Sequence, residues 1–273
     1  MINGLRDGLR TLPYVGGKSN FAGPGKWIAD ILDTVQVETY VEPCMGTLGI
    51  LLRREPSKIE VCNDLDGRIV NFFRVVRDKP DEFAQKLSLT AYRSEQEFIW
   101  AKQNLYHSDA VMAAVACFVI LRNSIPASLI ERSCYKFSGN DGGHWDFPDD
   151  IFHLAERLRD VRFKCGDAID LIQRYSLRKD TLIYIDPPYP ETLGYDCVFD
   201  GELMMDTVGN SESYVAVSGF NDSWTRLEGF GFLRLDRPIH LQMDTSKTGK
   251  RVESLYVNWN YESEPLMPSL FDV

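Results

Sequence analysis

Short apolar runs broken by polar turns set the rhythm of this chain. Thr39-Tyr40-Val41, Lys58-Ile59-Glu60-Val61-Cys62, Val161-Arg162-Phe163-Lys164-Cys165, Thr181-Leu182-Ile183-Tyr184-Ile185 and Tyr214-Val215-Ala216-Val217-Ser218 are rich in β-branched and aromatic residues. Runs of that length and content predict buried strands. Further strands are predicted at 230–235 and 254–259. Between them the period lengthens. Trp27 to Leu32, Ile50 to Arg54, Gly67 to Arg77 (apolar at 69, 70, 72, 73, 75 and 76) and 169–175 predict helices. Alternating strand and helix imply a doubly wound α/β sheet. From about 78 to 155 the alternation lapses. That stretch reads as helical, strongly apolar over Val111 to Arg122, and ends in a Ser/Gly/Asp-rich loop at 133–150. The predicted organisation is an α/β domain made of residues 1–77 and 156–273, interrupted by a mostly helical insertion at 78–155.

The candidate chemistry lies where predicted strands end. Asp186-Pro187-Pro188-Tyr189 follows the run 181–185. Prolines can neither extend a ladder nor enter a helix interior, so the chain must leave the sheet there. Ligands of open α/β sheets bind outside the carboxyl ends of the strands. One carboxylate, rigid backbone carbonyls and one aromatic face are thereby offered to a planar, amine-bearing ligand.

Three other loops are expected at the same edge. Glu42-Pro43-Cys44-Met45-Gly46-Thr47-Leu48-Gly49 has the strand–glycine loop–helix order in which a backbone closely approaches a nucleotide cofactor, with a tight structural turn as the competing reading. Asp64 ends the next strand, where an acid can accept both ribose hydroxyls. A helix N-cap by Asp64 or Asp66 is the competing reading. Gly166-Asp167-Ala168 offers an acid and backbone amides to the edge of an adenine, or caps the helix at 169–175. The N-terminal turn Tyr14-Val15-Gly16-Gly17-Lys18 would supply a cation and a flexible backbone for a carboxylate.

Two false leads fall away. Gly16-Gly17-Lys18-Ser19 looks like the end of a phosphate-binding P-loop, but Leu12 stands where the first glycine must be. Pro43-Cys44 resembles the nucleophile of cytosine C5 methylation. Here it lies in the cofactor-side loop, where a packed thiol is the simpler reading.

Composition narrows the class. The 273 residues are 44% hydrophobic and 26% charged, a globular profile. No stretch approaches a membrane span, and the N-terminus lacks a signal-peptide core. The six cysteines (44, 62, 117, 134, 165, 197) show no CxxC spacing and the four histidines are dispersed. That argues against a zinc site or a disulfide framework and fits a reducing cytoplasm. A net charge of −10 argues against non-specific coating of nucleic acid and leaves room for a local basic cleft.

Together these residues resemble the DNA adenine N6-methyltransferases with a DPPY motif and their phage-encoded relatives. The resemblance rests on Asp186 to Tyr189, the GGK turn, the strand–EPxxG loop, Asn63-Asp64, Asn71-Phe72-Phe73-Arg74 and Gly166-Asp167. Val217-Ser218-Gly219-Phe220 and Arg251-Val252-Glu253-Ser254-Leu255-Tyr256 extend it. It implies a Rossmann-like methyltransferase fold with S-adenosylmethionine (SAM) as cofactor. Tyr14, Gly17, Lys18, Glu42, Pro43, Cys44 and Gly46 would surround its methionine part. Asp64 would hold its ribose, and Asp167 with Ala168 its adenine, with Asp186 at the reacting end.

The catalytic group would be Asp186, Pro187, Pro188 and Tyr189. Asp186 and the Pro187 carbonyl would accept the amine of a flipped adenine, with Tyr189 stacked on the base, and attack on the methyl would be direct, with no metal. The insertion would select the DNA sequence, with Arg122, Asn123, Ser124, Arg132 and Lys136 as base-edge or phosphate contacts. The implied partners are DNA, expected as a duplex, and a cognate restriction nuclease, with the chain a monomer or weak dimer. Cytosine N4 or an RNA-base amine would suit the same geometry, and a non-catalytic SAM- or DNA-binding decoy is the alternative class. One departure stands out: Cys44 and Leu48 occupy the places of an aromatic and of the loop's second glycine.

Overall fold

The computed structural model describes residues 12–13, 18, 24–91, 93–125, 127–129, 131, 133–136, 149–188, 199–220, 222–239 and 251–261. In chain order the elements are α1 (Pro24–Leu32), β1 (Thr39–Glu42), β2 (Ile59–Asp64), α2 (Gly67–Asp78), α3 (Pro80–Ser88), α4 (Glu95–Asn104) and α5 (Ala110–Asn123). A short hairpin, β3 (Ser124–Ile125) and β4 (Cys134–Tyr135), leads to α6 (Asp149–Leu158), β5 (Arg162–Cys165), α7 (Ala168–Tyr175) and β6 (Thr181–Ile185). Then come α8 (Gly201–Gly209), β7 (Tyr214–Phe220), a 3₁₀ turn at Thr225–Phe230, β8 (Leu233–Ile239) and β9 (Arg251–Val257).

Seven strands form one sheet in the order β5-β2-β1-β6-β7-β9-β8. The first five run parallel, and β9 inserts antiparallel between β7 and β8. Period-2 alternation sends neighbouring residues to opposite faces. Tyr40, Leu182, Tyr184, Ala216, Leu255 and Val257 join a core built with α1 to α6. Val41, Ile183, Ile185, Val215, Val217 and Tyr256 join a second core with α7 and α8. Both faces are covered, which is why the central strands carry almost no exposed side chain.

The helical stretch after α2 shares the first core. Phe72 of α2 meets Phe83 of α3 and Phe118 of α5 at ring distances of 5.7 and 6.5 Å. Helix α5 is apolar on every side and ten of its residues are buried, as a central helix requires. The Asp109 carboxylate caps it, accepting the Val111 amide at 2.8 Å. No helix among the described residues is long and apolar enough to cross a membrane.

Three sequence expectations need correction. Residues 50–54 form a series of turns and not a helix. Arg53 and Arg54 both donate to the Ile50 carbonyl, mixing three- and four-residue spacings. Pro56 lies just beyond and disfavours helical backbone before it. The strand expected at 230–235 begins at Leu233, because the 3₁₀ turn occupies 225–230 and Gly231 ends it at φ +88°. The strand expected at 254–259 is Arg251–Val257, set by its register with β7 and β8.

Candidate active site

Strand β1 lies between β2 and β6, and the chain leaves it on one side and returns on the other. This reversal opens a crevice at the carboxyl ends of β1 and β6, where doubly wound sheets bind ligands. Glu42 and Asp186 stand at its two lips.

Glu42 is buried, and the Tyr40 hydroxyl donates to its Oε2 at 2.9 Å. Burial pushes its carboxyl up to about 8; the Tyr40 bond opposes this and the Asp186 carboxylate adds to it. After Glu42 the chain turns sharply. The Met45 amide donates to the Asn63 carbonyl at 2.8 Å, and Gly46 takes φ +45°. Leu48 also lies in the left-handed region, at φ +59°, and is fully buried. The loop therefore keeps the backbone shape of a glycine at this place. Strain of about 1–2 kcal/mol is offset by the roughly 1.5–3 kcal/mol gained by burying a leucine.

The next loop interlocks with this one. Asp64 Oδ2 accepts the Gly46 amide and Oδ1 the Asp66 amide, both at 2.9 Å. The helix cap is Asp66, whose side chain accepts the Arg68 amide. Burial raises the Asp64 carboxyl to about 6 against the pull of those amides. Asn63 Nδ2 donates to the carbonyls of Pro43 and Gly166, each at 2.9 Å, and so ties three strand ends together. Asp167 caps α7 by accepting the Ile169 amide at 2.7 Å. It also lines a cavity of about 330 Å³ with Ile169, Asp170, Gln173, Phe199, Asp200 and Leu203, a volume within the range of ligand pockets.

The Asp186 side is a buried polar chain. Asp186 Oδ1 accepts Lys18 Nζ and Ser218 Oγ, both at 2.9 Å. Ser218 is also bonded to the Tyr184 hydroxyl at 3.0 Å. Lys18 Nζ lies 3.3 Å from Glu253 Oε1 and 5.3 Å from the Phe220 ring. Burial works against the Lys18 ammonium, yet Asp186 and Glu253 together hold its affinity for protons above the ordinary value. Gly25 makes room for this turn, since a Cβ there would lie 2.1 Å from the Lys18 carbonyl oxygen.

Of the residues expected from sequence, the fold brings Lys18, Glu42, Pro43, Cys44, Gly46, Asp64, Asp167, Ala168, Asp186, Pro187 and Pro188 to one edge of the sheet. Tyr14, Gly17, Tyr189 and Arg132 lie outside the described residues. Arg122, Asn123, Ser124 and Lys136 come together at the β3–β4 hairpin, where the Lys136 amide donates to the Asn123 carbonyl. Asn123 Nδ2 is bonded back to Val119 of its own helix, and Ser124 is buried. Sequence reading assigned no role to Asn63, Ser218 or Glu253. The signal for Glu253 was present: an acid inside the otherwise uncharged run Val252 to Val257.

Residues 14–195 match the profile of the D12 class of N6 adenine-specific DNA methyltransferases. The chain belongs to that family. The enzyme is thus a DNA methyltransferase that draws its methyl group from SAM. No curated protein sequence matches it. Similar solved structures include a precorrin-6y C5,15-methyltransferase of Geobacter metallireducens, at 10% identity, 86% of this chain, 87% of that one and a TM-score of 0.39. The rRNA methyltransferase aviRa of Streptomyces viridochromogenes follows at 13%, 84%, 80% and 0.34.

The methyltransferase's residues suit a cationic ligand. Carboxylates of Glu42, Asp64, Asp186 and Glu253 gather at the ends of β1, β2 and β6 and on β9, with Lys18 as the ammonium among them. SAM carries a sulfonium and an ammonium, and either would relieve that excess. Asp64, Glu253 and Glu42 have folded-state values of about 6, 7 and 8, all raised, so the native state binds more protons than the unfolded chain across that range. Stability of the ligand-free enzyme should be highest near pH 5 and fall as pH rises through 8. The slope is up to about 1.4 kcal/mol per pH unit for each titrating group. Thermal unfolding from pH 5 to 8.5 checks this; a midpoint that rises over that span contradicts it.

Proposed function

We propose that the enzyme transfers a methyl group to the exocyclic N6 amine of adenine in double-stranded DNA, at a sequence chosen by residues 78–155. The observation that carries this reading is Asp186: a carboxylate fixed by two donors on one oxygen, at the switch point of the sheet. In the proposed complex Glu42, Cys44 and Gly46 surround the methionine part of SAM, Asp64 its ribose, and Asp167 and Ala168 its adenine. When bound, SAM supplies a methyl on cationic sulfur: the nitrogen–carbon bond forms, the carbon–sulfur bond breaks, and its electron pair stays with sulfur.

The chain's own groups do the rest. The target base leaves the stack, because its amine is out of reach within a duplex. Tyr189 stacks on it, replacing about 1–3 kcal/mol of lost stacking. The Asp186 carboxylate and the Pro187 carbonyl accept the two N–H groups, which draws the nitrogen lone pair out of conjugation. Asp186 then takes the proton that the methylated amine sheds. Pro187 and Pro188 fix the loop, so orientation is set before the substrate arrives. Arg122, Asn123, Arg132 and Lys136 contact DNA in this scheme, whereas Ser124 is buried and does not. A cytoplasmic location and pairing with a restriction nuclease accord with it.

The test is incubation with labelled SAM and DNA from a methylation-free host, followed by nucleoside analysis. Label in N6-methyladenine is the expected result. Label in N4-methylcytosine, in RNA alone, or in no nucleic acid rejects the substrate assignment.

A further inference from the structure

Glu253 lies on β9 opposite Phe220 of β7 and Arg237 of β8, and it is fully buried. Among the described residues neither of its oxygens has a hydrogen-bond partner meeting normal geometry, although Oε1 lies 3.3 Å from Lys18 Nζ. Burying a carboxylate with one such neighbour is costly, and an uncharged side chain of the same shape would avoid the cost. Packing alone does not account for the acid. The Lys18 ammonium, meanwhile, makes its shorter contact with Asp186, at 2.9 Å. One cation therefore serves two carboxylates.

We propose that Glu253 is a positioning residue that acts through Lys18: it holds the ammonium in place and leaves the Lys18–Asp186–Glu253 group with a net negative charge facing the reacting amine. Without Glu253 that group is neutral. This matters because positive charge grows on the amine nitrogen as the methyl arrives. A fixed negative field in a water-poor site stabilises that charge without reorganising. The inference rests on the amine-methylation reading above.

Among the described residues, the charged groups that bear on Glu253 are Lys18 and Asp186, with the neutral Tyr184 hydroxyl nearby and Arg237 across the ladder. Burial and the neighbouring Asp186 raise the Glu253 carboxyl to about 7, against the pull of Lys18. The site should then switch on as pH rises through neutrality. Glu42 titrates higher, at about 8, and faces Asp186 from the other lip, so the comparison must isolate Glu253.

The experiment is the single-turnover rate of methyl transfer, with saturating SAM and DNA, for wild type and Glu253→Gln between pH 6 and 8.5. Calorimetric SAM binding and thermal unfolding of both proteins run alongside. Expected are a wild-type rate that rises with a midpoint near 7 and a variant that lacks this rise. The variant should nearly match wild type at pH 6 and fall about 10- to 100-fold below it at pH 8.5. Equal rates at pH 8.5, or one loss factor at every pH, overturn the proposal. If the variant does not fold, the wild-type profile decides: a rate flat across pH 7 also overturns it. Failure of wild type to methylate any amine would instead reject the amine-methylation reading itself.

Discussion

Asp186→Ala should abolish measurable methylation, lowering the single-turnover rate by about 10³-fold, while the folded enzyme still binds SAM. The reason is geometric. Lys18 and Ser218 hold the carboxylate in one orientation, so it meets the amine without first being ordered. Its removal deletes the acceptor of the amine N–H and the acceptor of the departing proton together. The alanine variant should also lower the Glu42 midpoint from about 8, because the nearby Asp186 charge helps to raise it. Proton uptake or release on SAM binding, followed by calorimetry in buffers of different ionisation enthalpy, reads this second effect. A variant within tenfold of wild type would remove Asp186 from the chemistry.

Lys18→Met should be the most destabilising single change in the site. The side chain is 4% exposed and its partners Asp186 and Glu253 are 17% and 0% exposed. Deleting one member of a buried ionic group leaves the others uncompensated, at a cost of about 3–5 kcal/mol. The loss should be largest above pH 8, where both carboxylates are charged, and shrink toward pH 6 as Glu253 takes a proton. Urea unfolding at the two pH values tests the sign. A loss below about 1 kcal/mol at pH 8.5, or one that grows on acidification, contradicts the ion-pair account.

The strands of the parallel sheet were legible in the sequence because short, apolar, β-branched runs have few other uses. The DPPY loop was legible for a different reason: an acid and two prolines at a strand end have little structural purpose. The turns at 50–54 were not, since Leu48, Ile50, Leu51 and Leu52 are all buried and a fully buried segment carries no period. Leu48 at positive φ was equally hidden, because a leucine gives no sign of left-handed backbone. Asn63, Ser218 and Glu253 escaped because each acts across the sheet: Asn63 on residues 43 and 166, Ser218 on 184 and 186, Glu253 on 18. Local reading offered capping for both Asp64 and Asp167. The structure separates them: Asp66 caps α2 in place of Asp64, whereas Asp167 does cap α7 and still lines a cavity.

The most direct test of the central claim is a structure of the enzyme with duplex DNA and the demethylated cofactor product. The account predicts an adenine turned out of the helix, its N6 within about 3 Å of the Asp186 carboxylate, with Lys18 and Ser218 still on Oδ1. A target amine held elsewhere, with Asp186 bonded only to Lys18 and Ser218, would contradict it.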